Sequence, residues 1–128
     1  MKIEFVNESI GCLHAKLIGN EFFFNFNDVC SLIGINSTEE KDAILNAVVL
    51  PENLFETLEH SKDWSQILFL KVINWRGVDS LIENSLSENK IRVRNWLDHF
   101  VFPVSECIFS QIFHESFDEN LEIIIKGH

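Results

Sequence analysis

At 128 residues the chain is long enough for one domain with a hydrophobic core and too short for two ordinary ones. A 46% hydrophobic share, with twelve Phe and three Trp against five Gly and two Pro, excludes disorder over most of the length. The formal net charge of −10 excludes uniform attraction to a phosphate backbone, because non-specific DNA affinity rests on lysines and arginines that displace counterions.

The stretch LHAKLIGNEFFFNF has two apolar runs around Gly19-Asn20, a pair suited to a tight turn with positive φ. It predicts a hairpin of strands at about 13–18 and 21–24. NDVCSLIGI then predicts a short helix capped by Asn27 or Asp28 and ended by Gly34, with Val29, Leu32 and Ile33 on one face. Ser37 with Glu40 forms a capping box for a helix to about Ala47, with Ala43, Ile44 and Ala47 inward, and Pro51 stops it. Residues 51–65, PENLFETLEHSKDWS, are polar and acidic and read as a long exposed connection or an insertion. QILFLKVIN reads as a buried strand.

From Asn74 the pattern is helical, with Val78, Leu81 and Ile82 on one face. A second capping box, Ser85 with Glu88, begins a helix in which Val93, Trp96, Leu97, Phe100, Val101 and Val104 recur at spacings of three and four. That stripe places Trp96 in the core. After Pro103 one more short helix and a final strand, Leu121 to Ile125, complete an α+β fold with a short antiparallel or mixed sheet and three to five helices.

The motifs of common chemistries are missing. The sequence holds no P-loop, dinucleotide fingerprint, H-E-x-x-H or G-x-S-x-G, so an enzyme is not expected. The five histidines and three cysteines lack the paired spacing of structural zinc sites, and neither metal nor cofactor is expected. Cys12, Cys30 and Cys107, without a C-x-x-C pair, read as reduced thiols. No apolar run approaches the roughly 18–20 residues of a membrane span, and MKIEFVNES is not a secretion signal. A cytoplasmic protein without membrane contact follows.

The charge is unevenly spread. Residues 1–70 hold four bases against eleven acids and residues 95–128 one against six, whereas residues 71–94 hold five bases against three acids. Lys71, Arg76, Lys90, Arg92 and Arg94 are therefore the candidate nucleic-acid contacts. On a helix Arg92 and Arg94 lie about 200° apart, while Lys90 and Arg94 share a face and Arg94 sits one turn before Asp98. The acidic connection, with Glu52, Glu56, Glu59 and Asp63, and Trp75, placed beside Arg76 after a strand, are the candidate contacts for a protein partner.

Two separated segments resemble one family. FNFNDVCSLIGI, with Phe24, Asp28-Val29 and Gly34, resembles the F-x-x-x-D-V-x-x-x-L-G element of the Bro-N domain of phage antirepressors and viral Bro proteins. VINWRGVDSLIENSLSENKIRVRNWLDHFVFP resembles its closing element, with Asn74, Gly77, Leu81, Ile82, Ser85, Arg94, Trp96, Val101 and Pro103 at matching positions. The chain departs from that pattern at Asp79, Lys90, Val93 and Phe102. The resemblance implies a Bro-N-like domain over residues 1–106, with 107–128 as a helix and strand extension packed on it. It also implies a phage, prophage or mobile-element origin and DNA binding or transcriptional regulation. The acidic surface offers the alternative of a modulator, antirepressor or anti-defence, that engages a repressor or another DNA-binding protein. Twelve phenylalanines in so short a chain leave apolar surface for a homodimer.

Overall fold

A computed structural model of the chain describes residues 1–60, 63, 65–112 and 121–127. Strands β1 (Lys2–Asn7), β2 (Gly11–Ile18) and β3 (Glu21–Asn25) form an antiparallel meander. Gly19 turns the second hairpin at φ 63°, as its sequence requires. β1 is an addition to the expected hairpin. Its six residues alternate, with Ile3, Phe5 and Asn7 buried and the others part-exposed or exposed.

β3 runs directly into α1 (Phe26–Leu32), so the last strand residue has to serve as the cap: the Asn25 side chain accepts from the Asp28 N–H at 3.0 Å. This replaces the expected caps Asn27 and Asp28. Gly34, at φ 79°, closes the helix as its position suggested. α2 (Thr38–Val48) has the expected Ser37 cap, bonded to the Glu40 N–H at 3.2 Å. Its inward face is displaced by one position. Leu45 and Val49 are buried and Ile44 and Val48 part-buried, while Ala43 and Ala47 are exposed, because the larger side chains take the contact.

Residues 51–60 of the expected irregular connection at 51–65 are not irregular, and residues 61, 62 and 64 lie outside the described residues. A 3₁₀ turn at Pro51–Asn53 leads into β4 (Leu54–His60), paired antiparallel along its length with β5 (Ile67–Asn74). The charges that made the segment look like a loop are those of an edge strand. β5 is buried only at its inner end. Val72, Ile73 and Asn74 are enclosed, whereas Ile67, Leu68 and Phe69 are 57%, 55% and 73% exposed at the outer end of the hairpin.

α3 (Trp75–Glu83) begins on Asn74, whose side chain accepts from the Gly77 N–H at 3.0 Å and donates to Asn53 at 3.0 Å. Val78, Leu81 and Ile82 are fully buried as expected. The second capping box is not formed. Ser85 Oγ accepts from the Ser87 N–H and Ser87 Oγ from the Asn89 N–H, so two short turns precede α4 (Lys90–Trp96). A wide π turn at Leu97–Val101 joins α4 to α5 (Phe102–Ile112). Pro103 lies inside this run rather than ending it. The wide turn accommodates a residue that lacks an N–H and crowds the preceding turn. β6 (Glu122–Lys126) pairs in parallel with β1, where a strand at Leu121–Ile125 was expected.

The sheet order is β4-β5-β3-β2-β1-β6. Phe5, Leu13, Phe24 and Ile73 from one face pack with Val29 of α1, Val78, Leu81 and Ile82 of α3, and Val93, Trp96, Leu97 and Val101 of the last helical run. Each large side chain buried there contributes roughly 1.5–3 kcal/mol. This is the small α+β domain expected, including Trp96 at 3% exposure in its core. The opposite face carries Lys2, Glu4, His14, Lys16, Phe23, Thr57 and Glu59 around a hollow of about 560 Å³.

Candidate interaction surfaces

The five candidate DNA contacts do not gather into one patch. Arg94, on α4, is 19% exposed and meets three carboxylates: Asp79 at 2.7 Å, Glu83, and Asp98 at 3.7 Å. Burial works against its charge, but hydrogen bonds to Asp79 and Glu83 and the charges of Asp79 and Asp98 outweigh this and raise its pKa further. Asp79, one of the positions where the chain departs from the resembled pattern, ties α3 to α4 here. Arg76 meets Glu21 at 3.1 Å and lies 5.3 Å from the centre of the Trp75 ring, a cation–π contact. Lys71, on β5, faces Asp42 of α2 at 3.9 Å.

Lys90 and Arg92 are held only by backbone carbonyls in the bonds described, Lys90 by Glu83 O at 3.0 Å and Arg92 by Ser9 O at 3.3 Å. They are the two basic candidates without a described carboxylate partner.

The acidic candidates are also dispersed. Glu52 is exposed in the 3₁₀ turn, and Glu56 stands opposite Lys71 on the helix-bearing side of the hairpin. Glu59 points to the other side, where Lys2 at 2.5 Å and Lys16 at 3.5 Å hold it. Burial raises its pKa, but these two lysines dominate and leave it below the ordinary value. Asp63 accepts from Ser65 N–H and Oγ in the turn beyond.

Trp75 is 49% exposed. It lines a groove of about 840 Å³ with Phe22, Phe102 and Phe109, and Glu21, Asp79, Asp98 and Glu106 supply its acidic wall. Arg76 is the basic residue among those lining it. The sequence reading left out this acidic and aromatic combination. Part of the signal was present, since Asp98, Phe102, Glu106 and Phe109 recur at spacings of four, four and three on one helical run.

Most residues that carry the family resemblance have structural work here. Asn74 caps α3, Leu81, Ile82, Trp96 and Val101 are core, and Arg94 ties two helices. Asp28 accepts from both the backbone N–H and the ring of His14 at 2.8 Å, replacing the strand neighbour that β2 loses where β3 becomes α1. Among the described residues no helix is long and apolar enough to cross a membrane. No curated protein and no solved structure matches the chain. The model of the BRO family, N-terminal domain, matches residues 14–103, from β2 to the start of α5, and with well over half of its length covered the chain belongs to that family.

Proposed function

We propose that this protein is a transcription regulator of the phage or prophage type that works in the host cytoplasm as a binding protein, without a catalytic step, and that its immediate contact is a DNA-binding protein such as a repressor. Family membership supports the regulatory role. The acidic, aromatic groove around Trp75 carries the choice of contact, since it offers a cationic side chain ring faces and the Glu106 carboxylate, beside Glu21, Asp79 and Asp98 that Arg76 and Arg94 already share. The net charge of −10 and the neutralised Arg94 point the same way. An arginine-rich peptide is expected to quench Trp75 fluorescence at low salt, and Asp98→Asn with Glu106→Gln to weaken binding about tenfold. Equal binding by the double variant would reject the groove as the contact.

A second reading, direct DNA binding, is favoured by Lys90 and Arg92 on α4. It requires duplex affinity that falls steeply between 50 and 200 mM salt, as roughly expected for phosphate contacts, and that Arg92→Ala weakens. Anisotropy on a labelled duplex decides between the two. Self-association belongs to the same proposal: Leu58, Ile67, Leu68 and Phe69 are all more than half exposed on the β4–β5 hairpin. Sedimentation of Phe69→Glu against the wild type tests it, and identical monomers would dismiss it.

A further inference from the structure

On the hollow side of the sheet three side chains with different metal-binding chemistries converge. The β1–β2 register sets Glu4 directly opposite His14, and Cys12, two residues earlier on β2, projects from the same face. Glu4 Oε1 accepts from the Cys12 thiol at 3.1 Å, and Glu4 Oε2 lies 3.9 Å from His14 Nε2. One ligand atom of each residue lies within 4.8 Å of the others. Neighbouring ligands of a tetrahedral zinc, at bonds of about 2.0–2.3 Å, stand roughly 3.3–3.7 Å apart, so small rotations would close the set.

The imidazole is already oriented for such a role. Asp28 lies 2.8 Å from His14 Nδ1 and also accepts the His14 backbone N–H. In the neutral tautomer that donates its Nδ1 proton to Asp28, the Nε2 lone pair faces Glu4, the arrangement in which a carboxylate holds a metal-binding histidine. A cation seated between Glu4 Oε2 and His14 Nε2, 3.9 Å apart, would be shared by both. Of the lysines on the same face, Lys2 and Lys16 are engaged by Glu59, and Lys126 stands at the far end of the face beside Val6.

We infer that Glu4, Cys12 and His14 form a site for a divalent transition-metal ion of the zinc type, with Asp28 positioning the imidazole and a fourth coordination position open to the hollow. Burial, the hydrogen bond to Glu4 and the charges of Glu4 and Asp28 push the Cys12 thiol up to about 12 in the absence of an ion. The ion takes the place of that proton: the thiol S–H breaks, a sulfur–metal bond forms, and one proton leaves for solvent. Two anionic ligands then balance a doubly charged ion. Glu4 and Cys12 precede the family match, so the site belongs to this chain rather than to the matched segment.

The test is a titration of the full chain, reduced and stripped with chelator, with Co²⁺ and then Zn²⁺. One ion per chain is expected, with a thiolate-to-cobalt charge-transfer band that Zn²⁺ abolishes and an affinity that rises with pH. Cys12→Ser, near-isosteric at a part-exposed position, should remove the band, and His14→Ala and Glu4→Gln should each weaken binding at least tenfold. Asp28→Asn should weaken it by about 10–100-fold, as loss of an orienting partner does. Cobalt binding without the band, or an unchanged zinc affinity in Cys12→Ser with His14→Ala, overturns the assignment. So does an imidazolium at His14 at neutral pH, seen by NMR, that excess Zn²⁺ does not displace.

Discussion

The two faces of the sheet are built on different principles. The helix-bearing face is closed by shape: Phe5, Leu13 and Ile73 are 0% exposed and lie against helices whose own apolar stripes are equally enclosed. The hollow face is organised by polar contacts, with Lys2 and Lys16 paired to Glu59 and the His14 ring hydrogen-bonded to Asp28. Close packing penalises any change of volume, whereas exposed ion pairs contribute little to stability. The first face therefore sets the fold, and the second is free to carry chemistry.

Substitutions can break this contrast or sharpen it. Leu81→Ala, in the closed face, should cost about 2–5 kcal/mol in urea unfolding, since it opens a cavity that neighbouring side chains fill poorly. A cost below about 1 kcal/mol would mean that this face is loosely packed. Arg94→Ala comes next, at about 1–3 kcal/mol, because Asp79, Glu83 and Asp98 lose their shared cation. If Arg94 served ligands rather than the fold, its loss would leave the unfolding midpoint unchanged.

On the hollow face the effects should be smaller. The Glu59 pKa is lowered in the folded state, so its pairing stabilises above the unfolded value of about 4.3 and is lost as the pH falls towards the folded value. Glu59→Gln should cost at most about 1 kcal/mol at neutral pH and flatten the acid limb of the stability curve. Thermal unfolding from pH 3 to 7 reads both. The smallest effect, within about 0.5 kcal/mol, is expected for Ala47→Glu on the outer side of α2, and a larger loss would restore the inward face first expected for that helix.

What the sequence made legible follows the range of the interactions. The α3 stripe of Val78, Leu81 and Ile82, the Gly19 turn and the Ser37 cap each depend on neighbours within four residues, and each is found in place. β1 and β4 are paired strands whose polar residues are acceptable only because one face or one edge is open, a property set by the assembled sheet. The same distinction divides the partners of Arg94. Asp98, one turn away, was visible in advance, while Asp79 and Glu83 arrive only when α3 packs beside α4. The convergence of Glu4, Cys12, His14 and Asp28 required both the β1–β2 register and the end of β3.

The parallel pairing of β6 with β1 has a consequence in time. Residues 122–126 are the second neighbour of a strand that lies at residues 2–7, so during synthesis β1 waits with one hydrogen-bonding edge open until residues 122–126, more than a hundred positions later, have emerged. Such distant pairings form late and leave a template for other chains in the interval. In a ribosome-bound chain ending before residue 122, the β1 amides should exchange with solvent faster than those of β3, which already lies between β2 and β5.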